Sequence, residues 1–139
     1  MPHFGTTSAG RLATCHKDLQ TVMNHAIEHG PDFSILCGHR SKEDQNKAFE
    51  EGKSQLKWPQ SRHNTDPSEA VDLAPYPIDW DDQNRFRVLA GYLQGVADVL
   101  YSNGEISHRL RWGGDWDKDY QEKDERFRDL PHFELLKED

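Results

Sequence analysis

Apolar residues near the start of the chain recur every three or four positions. Leu12, Cys15, Leu19, Val22, Met23, Ala26 and Ile27 would form one stripe on a helix. Ser8 is placed to cap that helix, which the pattern carries to about His29, where Gly30-Pro31 stops it. Phe33–Cys37 is a short apolar run and predicts a strand. Gly38-His39-Arg40 reads as a turn. Ser41 with Asp44 resembles a capping box, with Asp in place of the usual Glu, and opens a second helix to about Glu51. From Gly52 to Glu69 the periodicity is lost in a long polar loop containing Pro59 and Pro67. Loops of that length are uncommon in compact domains and are often functional.

Ala70-Val71-Asp72-Leu73-Ala74 predicts a buried strand with a lone acid in its middle, ended by Pro75 and Pro77. Asp81 or Asp82 caps a third helix reaching about Tyr101, with Phe86, Leu89, Ala90, Leu93, Val96, Ala97 and Leu100 on its apolar face. Ser102-Asn103-Gly104 breaks it. Leu110–Gly114 predicts a strand and turn, residues 115–128 a charged loop, and the alternating Pro131–Leu135 a final strand. Three helices and several short strands in mixed order predict an α+β fold: one domain, a small antiparallel sheet flanked by about three helices.

A length of 139 residues suits one core and leaves no room for a second domain. Hydrophobic residues make up 34% and charged residues 30%, a polar balance. Four Trp, four Tyr and six Phe nevertheless supply large buried surfaces, so a folded chain is expected. Lys and Arg total 17 against 25 Asp and Glu, a net charge of −8. That charge argues against nucleic acid or an anionic membrane as the partner. No run approaches the roughly 18 apolar residues of a membrane span. The start, Met-Pro-His-Phe, lacks the basic-then-apolar pattern of a signal peptide, so synthesis in the cytoplasm is expected. Cys15 and Cys37 read as buried free thiols.

Three metal-capable side chains sit in unusual settings: His63 in the long loop, Asp72 inside an apolar strand, and His132 in the final strand. An unpaired buried carboxylate costs several kcal/mol, so Asp72 needs a cation or strong donors. Two His and one carboxylate match the three protein ligands of catalytic zinc, which keeps a fourth position for water. Taken singly, each residue also has a commonplace reading: a loop His is solvated, and a strand Asp pairs with an Arg. Spacing alone does not choose between these, since no His-Glu-x-x-His helix is present.

Ser61-Arg62-His63, Ala70-Val71-Asp72 and Pro131-His132-Phe133-Glu134 resemble the Ser-x-His…Asp and His-x-Glu signatures of the D-alanyl-D-alanine peptidase family, whose zinc fold extends to D-Ala-D-Ala dipeptidases and the hedgehog signalling domain. Val71–Tyr76, Ile78-Asp79-Trp80 and residues 111–116 are similar to the phage endolysin branch, the L-alanyl-D-glutamate peptidases. The resemblance spans residues 8–136 and implies that His63, Asp72 and His132 hold Zn2+. It makes Asp129, three residues before the last His, the general base. Arg40 matches the Arg that binds and polarises the scissile carbonyl. Eight residues, Asn64 to Val71, separate His63 from Asp72, two more than the family's usual spacing, which predicts a bulged loop.

The implied activity is hydrolysis of peptidoglycan stem peptides at L-Ala–D-Glu for host lysis, by a monomer held in the host cytoplasm until release and carrying no separate wall-binding module. Alternatives are a D-Ala-D-Ala carboxypeptidase and a zinc-binding interaction domain without hydrolysis. Tyr76, Trp112 and Trp116 are candidates to line the substrate groove, with core packing an open reading for each. Glu134 is read either as an acceptor for a ligand His or as a solvent-facing acid. His39 and His108 read as surface residues. Asp115, Asp117 and Asp119 alternate as calcium ligands would, but lack the Gly and Glu of an EF-hand and read as a solvated loop.

Overall fold

Four short antiparallel strands fall on the four segments the sequence predicts as strands, in a computed structural model that describes residues 2–115 and 129–136. The elements run α1 (Thr6–Leu12), α2 (Lys17–His29), β1 (Phe33–Cys37), α3 (Lys42–Glu50), a 3-10 turn (Arg62–Asn64), β2 (Ala70–Pro75), α4 (Gln83–Ser102), β3 (Arg109–Trp112) and β4 (His132–Leu136). The sheet order is β1-β2-β4-β3, every neighbour antiparallel. The α+β fold with a small antiparallel sheet is the one expected.

The single helix expected over residues 8–29 is two helices. Its apolar spacing runs unbroken through Cys15, but the backbone there takes partners from far along the chain. His16 N donates to the Ser68 carbonyl (2.7 Å) and Ser68 N to that of Thr14 (2.9 Å). Those bonds replace helical ones, and the second helix restarts with the His16 imidazole as its cap, accepting from Asp18 N at 3.0 Å. Ser8 is not a cap; its hydroxyl lies within α1 and accepts from Ile35 N (3.0 Å), docking that helix on β1. Asp82 occupies the cap position of α4 but its side chain makes no cap bond. Ser41 does cap α3, accepting from Asp44 N at 3.2 Å.

Successive side chains on a strand point to opposite faces, and this sorts the sheet. Phe33, Ile35, Val71, Leu73, Leu110, Trp112, Phe133 and Leu135 face one way and join α2 and α4 in the core. The intervening positions Asp72, Arg111, His132 and Glu134 face the other way. A slip of one residue would exchange the two sets. The register pairs Asp72 with His132 and Arg111 with Glu134, so the charged residues meet as direct cross-strand neighbours.

Candidate active site

The trio named from the sequence comes together on the polar face of the sheet. Asp72 Oδ1 lies 3.2 Å from His63 Nε2 and 3.2 Å from His132 Nδ1. The sheet delivers two of the three. His63 arrives from the 3-10 turn, whose cap is Ser61 (Oγ to His63 N, 3.2 Å). The turn is clamped twice to the loop after β1: Arg40 N donates to the His63 carbonyl (2.8 Å), and His63 Nδ1 donates to the Gly38 carbonyl (2.8 Å). A Cβ at Gly38 would run into Thr14, Arg11 and Cys15, so only glycine lets that carbonyl sit so deep.

The expected bulge in the longer loop is folded back on the domain. Thr65 and Glu69 bond to Arg62, and fully buried Ser68 bonds to Thr14 and His16. The path of the loop therefore does not displace His63 from Asp72.

Hydrogen positions follow from the outer partners of each ring. The Gly38 carbonyl can only accept, so His63 Nδ1 carries a hydrogen and Nε2 presents a lone pair. His132 Nε2 donates to Glu134 Oε1 at 2.8 Å. Glu134 is ionised: burial pushes its pKa up, but bonds from His132 and Arg111 win and hold it near 2. His132 Nδ1 is then also a lone pair. Two imidazole lone pairs and a carboxylate oxygen converge, three acceptors with no donor among them. Such a set is compatible with a divalent metal at its centre. Without one, protons must serve. Burial opposes a charged His63, yet the Asp72 charge and hydrogen bond raise its pKa to about 10. His132 is raised likewise, by its bonds to Asp72 and Glu134 against burial. Burial would raise Asp72, but both imidazoles hold it well below the carboxylate range.

Around the trio lies an open cavity of about 1090 Å³ whose lining includes Arg40, Asp129 and Trp80. Arg40 NH2 reaches Asp72 Oδ2 at 3.3 Å. Asp129 is fixed by backbone bonds, its N to the Gly113 carbonyl (2.8 Å) and its carbonyl from His132 N (3.0 Å). A Cβ at Gly113 would strike the Asp129 backbone, so this approach also needs glycine. Burial, then the charge of Asp72, raises the Asp129 pKa against the pull of His132, His63 and Arg40. A raised carboxyl facing a cavity is a better proton acceptor than an ordinary surface carboxylate.

Two groove candidates lie elsewhere. Trp112 is buried with Phe133 on the core face, its indole N donating to the Leu130 carbonyl at 2.8 Å. Its parity on β3 puts Arg111, not Trp112, on the polar face. Tyr76 is 58% exposed and lines a separate cavity of about 400 Å³ with Pro31, Pro75 and Val88. Trp116, Asp117 and Asp119 lie outside the described residues. Asp115, expected in a solvated loop, is buried, with its N bonded to the Trp112 carbonyl at 3.0 Å. His39 Nδ1 donates to the Thr65 carbonyl at 2.9 Å and staples the loop.

Glu134 settles as the acceptor for His132, and two arginines the sequence did not single out hold it there. Arg62 Nε lies 3.1 Å and Arg111 NH2 2.6 Å from Oε2. Gln45 and Trp80 were also missed. Trp80 is 57% exposed at the cavity, stacked on Phe86 at 5.4 Å. An exposed aromatic within the Ile-Asp-Trp motif was the available signal.

A family profile described as phage L-alanyl-D-glutamate peptidase matches residues 2–136. The L-alanyl-D-glutamate peptidase of Escherichia phage T5 is 34% identical over 141 residues, covering 96% of this chain and 97% of that protein. The crystal structure of the Serratia marcescens L-Ala D-Glu endopeptidase ChiX superposes with a TM-score of 0.72 at 27% identity, over 96% of this chain and 89% of that one. A family profile matched over nearly the whole length, a 34%-identical relative covering the chain and a shared fold place this chain in the phage L-alanyl-D-glutamate peptidase family.

Proposed function

We propose that this chain is a zinc-dependent peptidoglycan peptidase that hydrolyses the L-Ala–D-Glu bond of the stem peptide and serves as a phage endolysin in host lysis. The observation that supports it is the convergence of three acceptors, His63 Nε2, Asp72 Oδ1 and His132 Nδ1, beside a raised carboxyl, Asp129. Two imidazoles and a carboxylate favour zinc among divalent ions. Held by His63, Asp72 and His132, the ion would supply Lewis acidity and make water at the site more acidic.

The chain's own groups carry the rest. Asp129 takes a proton from the attacking water and returns it to the departing D-Glu nitrogen as the C–N bond breaks. Arg40 donates to the carbonyl oxygen while negative charge builds on it. Glu134, gripped by Arg62 and Arg111, fixes the tautomer and angle of His132. The same reading has the protein working as a monomer, made in the host cytoplasm and acting at the wall once released. Among the described residues no helix is long and apolar enough to cross a membrane.

The test is digestion of purified cell wall with product analysis, with and without chelator. The expected result is new D-Glu amino ends, no free terminal D-Ala, loss of activity with chelator and recovery with zinc. Release of D-Ala alone would make the chain a carboxypeptidase. Cleavage indifferent to chelator would remove the metal from the proposal, and no cleavage at all would leave a binding domain.

A further inference from the structure

α3 turns one residue fully inward, and that residue is polar. Gln45 has 0% exposure, while Phe49, the large apolar residue of the helix, is 37% exposed. An amide offers two donor hydrogens and two acceptor lone pairs, and all four are used. Oε1 accepts from Arg40 NH1 (3.0 Å) and Asn64 Nδ2 (3.2 Å); Nε2 donates to Ser54 Oγ (3.0 Å) and the Leu56 carbonyl (2.6 Å). The amide cannot flip, because the Leu56 carbonyl only accepts and the Arg40 guanidinium only donates. The same guanidinium reaches Asp72 through its other terminal nitrogen. Arg40 is therefore held at two points, Asp72 in front and Gln45 behind.

We infer that Gln45 is a positioning residue that fixes the Arg40 guanidinium in the orientation from which it meets the substrate carbonyl; this rests on the peptidase reading above. A single contact to Asp72 leaves the planar guanidinium free to swing about that contact. A second contact, on a residue with no freedom of its own, removes the swing. Asn64, next to His63, shares the same Oε1 and donates to the Arg40 carbonyl (3.2 Å). One buried oxygen thus ties the Arg40 side chain to the turn that carries His63. Ser54 and Leu56, which anchor the other end of the amide, line the cavity.

A residue that merely docks α3 would lower stability without acting through Arg40, so the experiment is a double-mutant cycle. Gln45→Met, Arg40→Ala and the double variant are measured as full-length, metal-loaded proteins. The readings are kcat and KM on a stem peptide, metal stoichiometry, and the guanidinium NMR signals of Arg40. Gln45→Met is expected to keep its metal and its KM within about twofold. It should lose roughly 10- to 100-fold in kcat, broaden the Arg40 signals, and cost nothing further on top of Arg40→Ala. Unchanged Arg40 signals, or losses that multiply in the double variant, would overturn the inference. Should Gln45→Met not fold, Gln45→Glu decides: it keeps the acceptor for Arg40, so the Arg40 signals and most of the turnover are retained, and loss of either overturns it. A wild-type protein inert toward the peptide would sink the peptidase reading alone, since the NMR comparison judges the positioning of Arg40 without turnover.

Discussion

Among the described residues two groups pair two histidines with an aspartate closely enough to hold an ion: His63, Asp72 and His132, and His16, Asp18 and His108. Their composition is the same, but their protons are arranged differently. In the second group donors face acceptors throughout. Asp18 N donates to His16 Nδ1 (3.0 Å), and His108 Nδ1 (2.7 Å), Ser107 N (3.0 Å) and Ser107 Oγ (3.1 Å) all donate to Asp18 Oδ2. That group is complete as it stands. It caps α2 and ties it to the segment leading into β3. In the first group the outer ring nitrogens are taken by the Gly38 carbonyl and Glu134, and lone pairs are all that point inward. What separates a set open to a metal from a structural knot is the outer partner of each imidazole, not the count of ligand types.

The comparison breaks most visibly at His63. His63→Ala should lose stoichiometric metal and fall to background activity, while His108→Ala keeps one ion per chain; native mass spectrometry on both proteins reads this directly. Two ions in the wild-type protein, one of them lost in His108→Ala, would end the distinction. Next in size is Asp129→Ala, expected to retain the metal and lose about 10²-fold or more in turnover on stem peptide. Unaltered turnover there would remove the proton-transfer role. Glu134→Gln should weaken metal affinity by about 10- to 100-fold, because the amide no longer guarantees the donor role of His132 Nε2; competition with a chelator of known affinity measures it.

The smallest effect belongs to the second group. Asp18→Asn should cost about 1–3 kcal/mol at neutral pH and leave metal binding alone. Burial raises the Asp18 pKa, but hydrogen bonds from His108 and Ser107 and the charge of His16 bring it below 3.8. Its contribution is therefore full above pH 3.8 and is lost as pH falls through the lower folded-state value. Urea unfolding over a pH series should show wild type and Asp18→Asn converging in acid. A gap that stays constant would show the carboxylate's charge is not what stabilises the fold.

The strands and α4 were legible because their periodicity is local and uninterrupted. The trio was legible from an acid in an apolar strand and from the motifs around it. The break at residues 13–16 was not, since the apolar spacing of Leu12, Cys15 and Leu19 continues across it and the cause is Ser68, over fifty positions away. Trp112 stays open between groove and core in the sequence because its face depends on the register between β3 and β4, which no single strand reveals. Gln45 was invisible for a related reason: a glutamine in a polar helix gives no sign that it points inward until its four partners are in place.

The deep carbonyl of Gly38 and the two-sided clamp on the 3-10 turn have a corollary. His63 is located by its clamps to Gly38 and Arg40, so the length of the excursion to Asp72 does not set its position. The strands allow no such latitude. One residue inserted within β4, between His132 and Glu134, would put the two on opposite faces and turn one of them into the apolar core. An added residue is tolerable where the backbone is anchored on both sides and is not where faces alternate in twos.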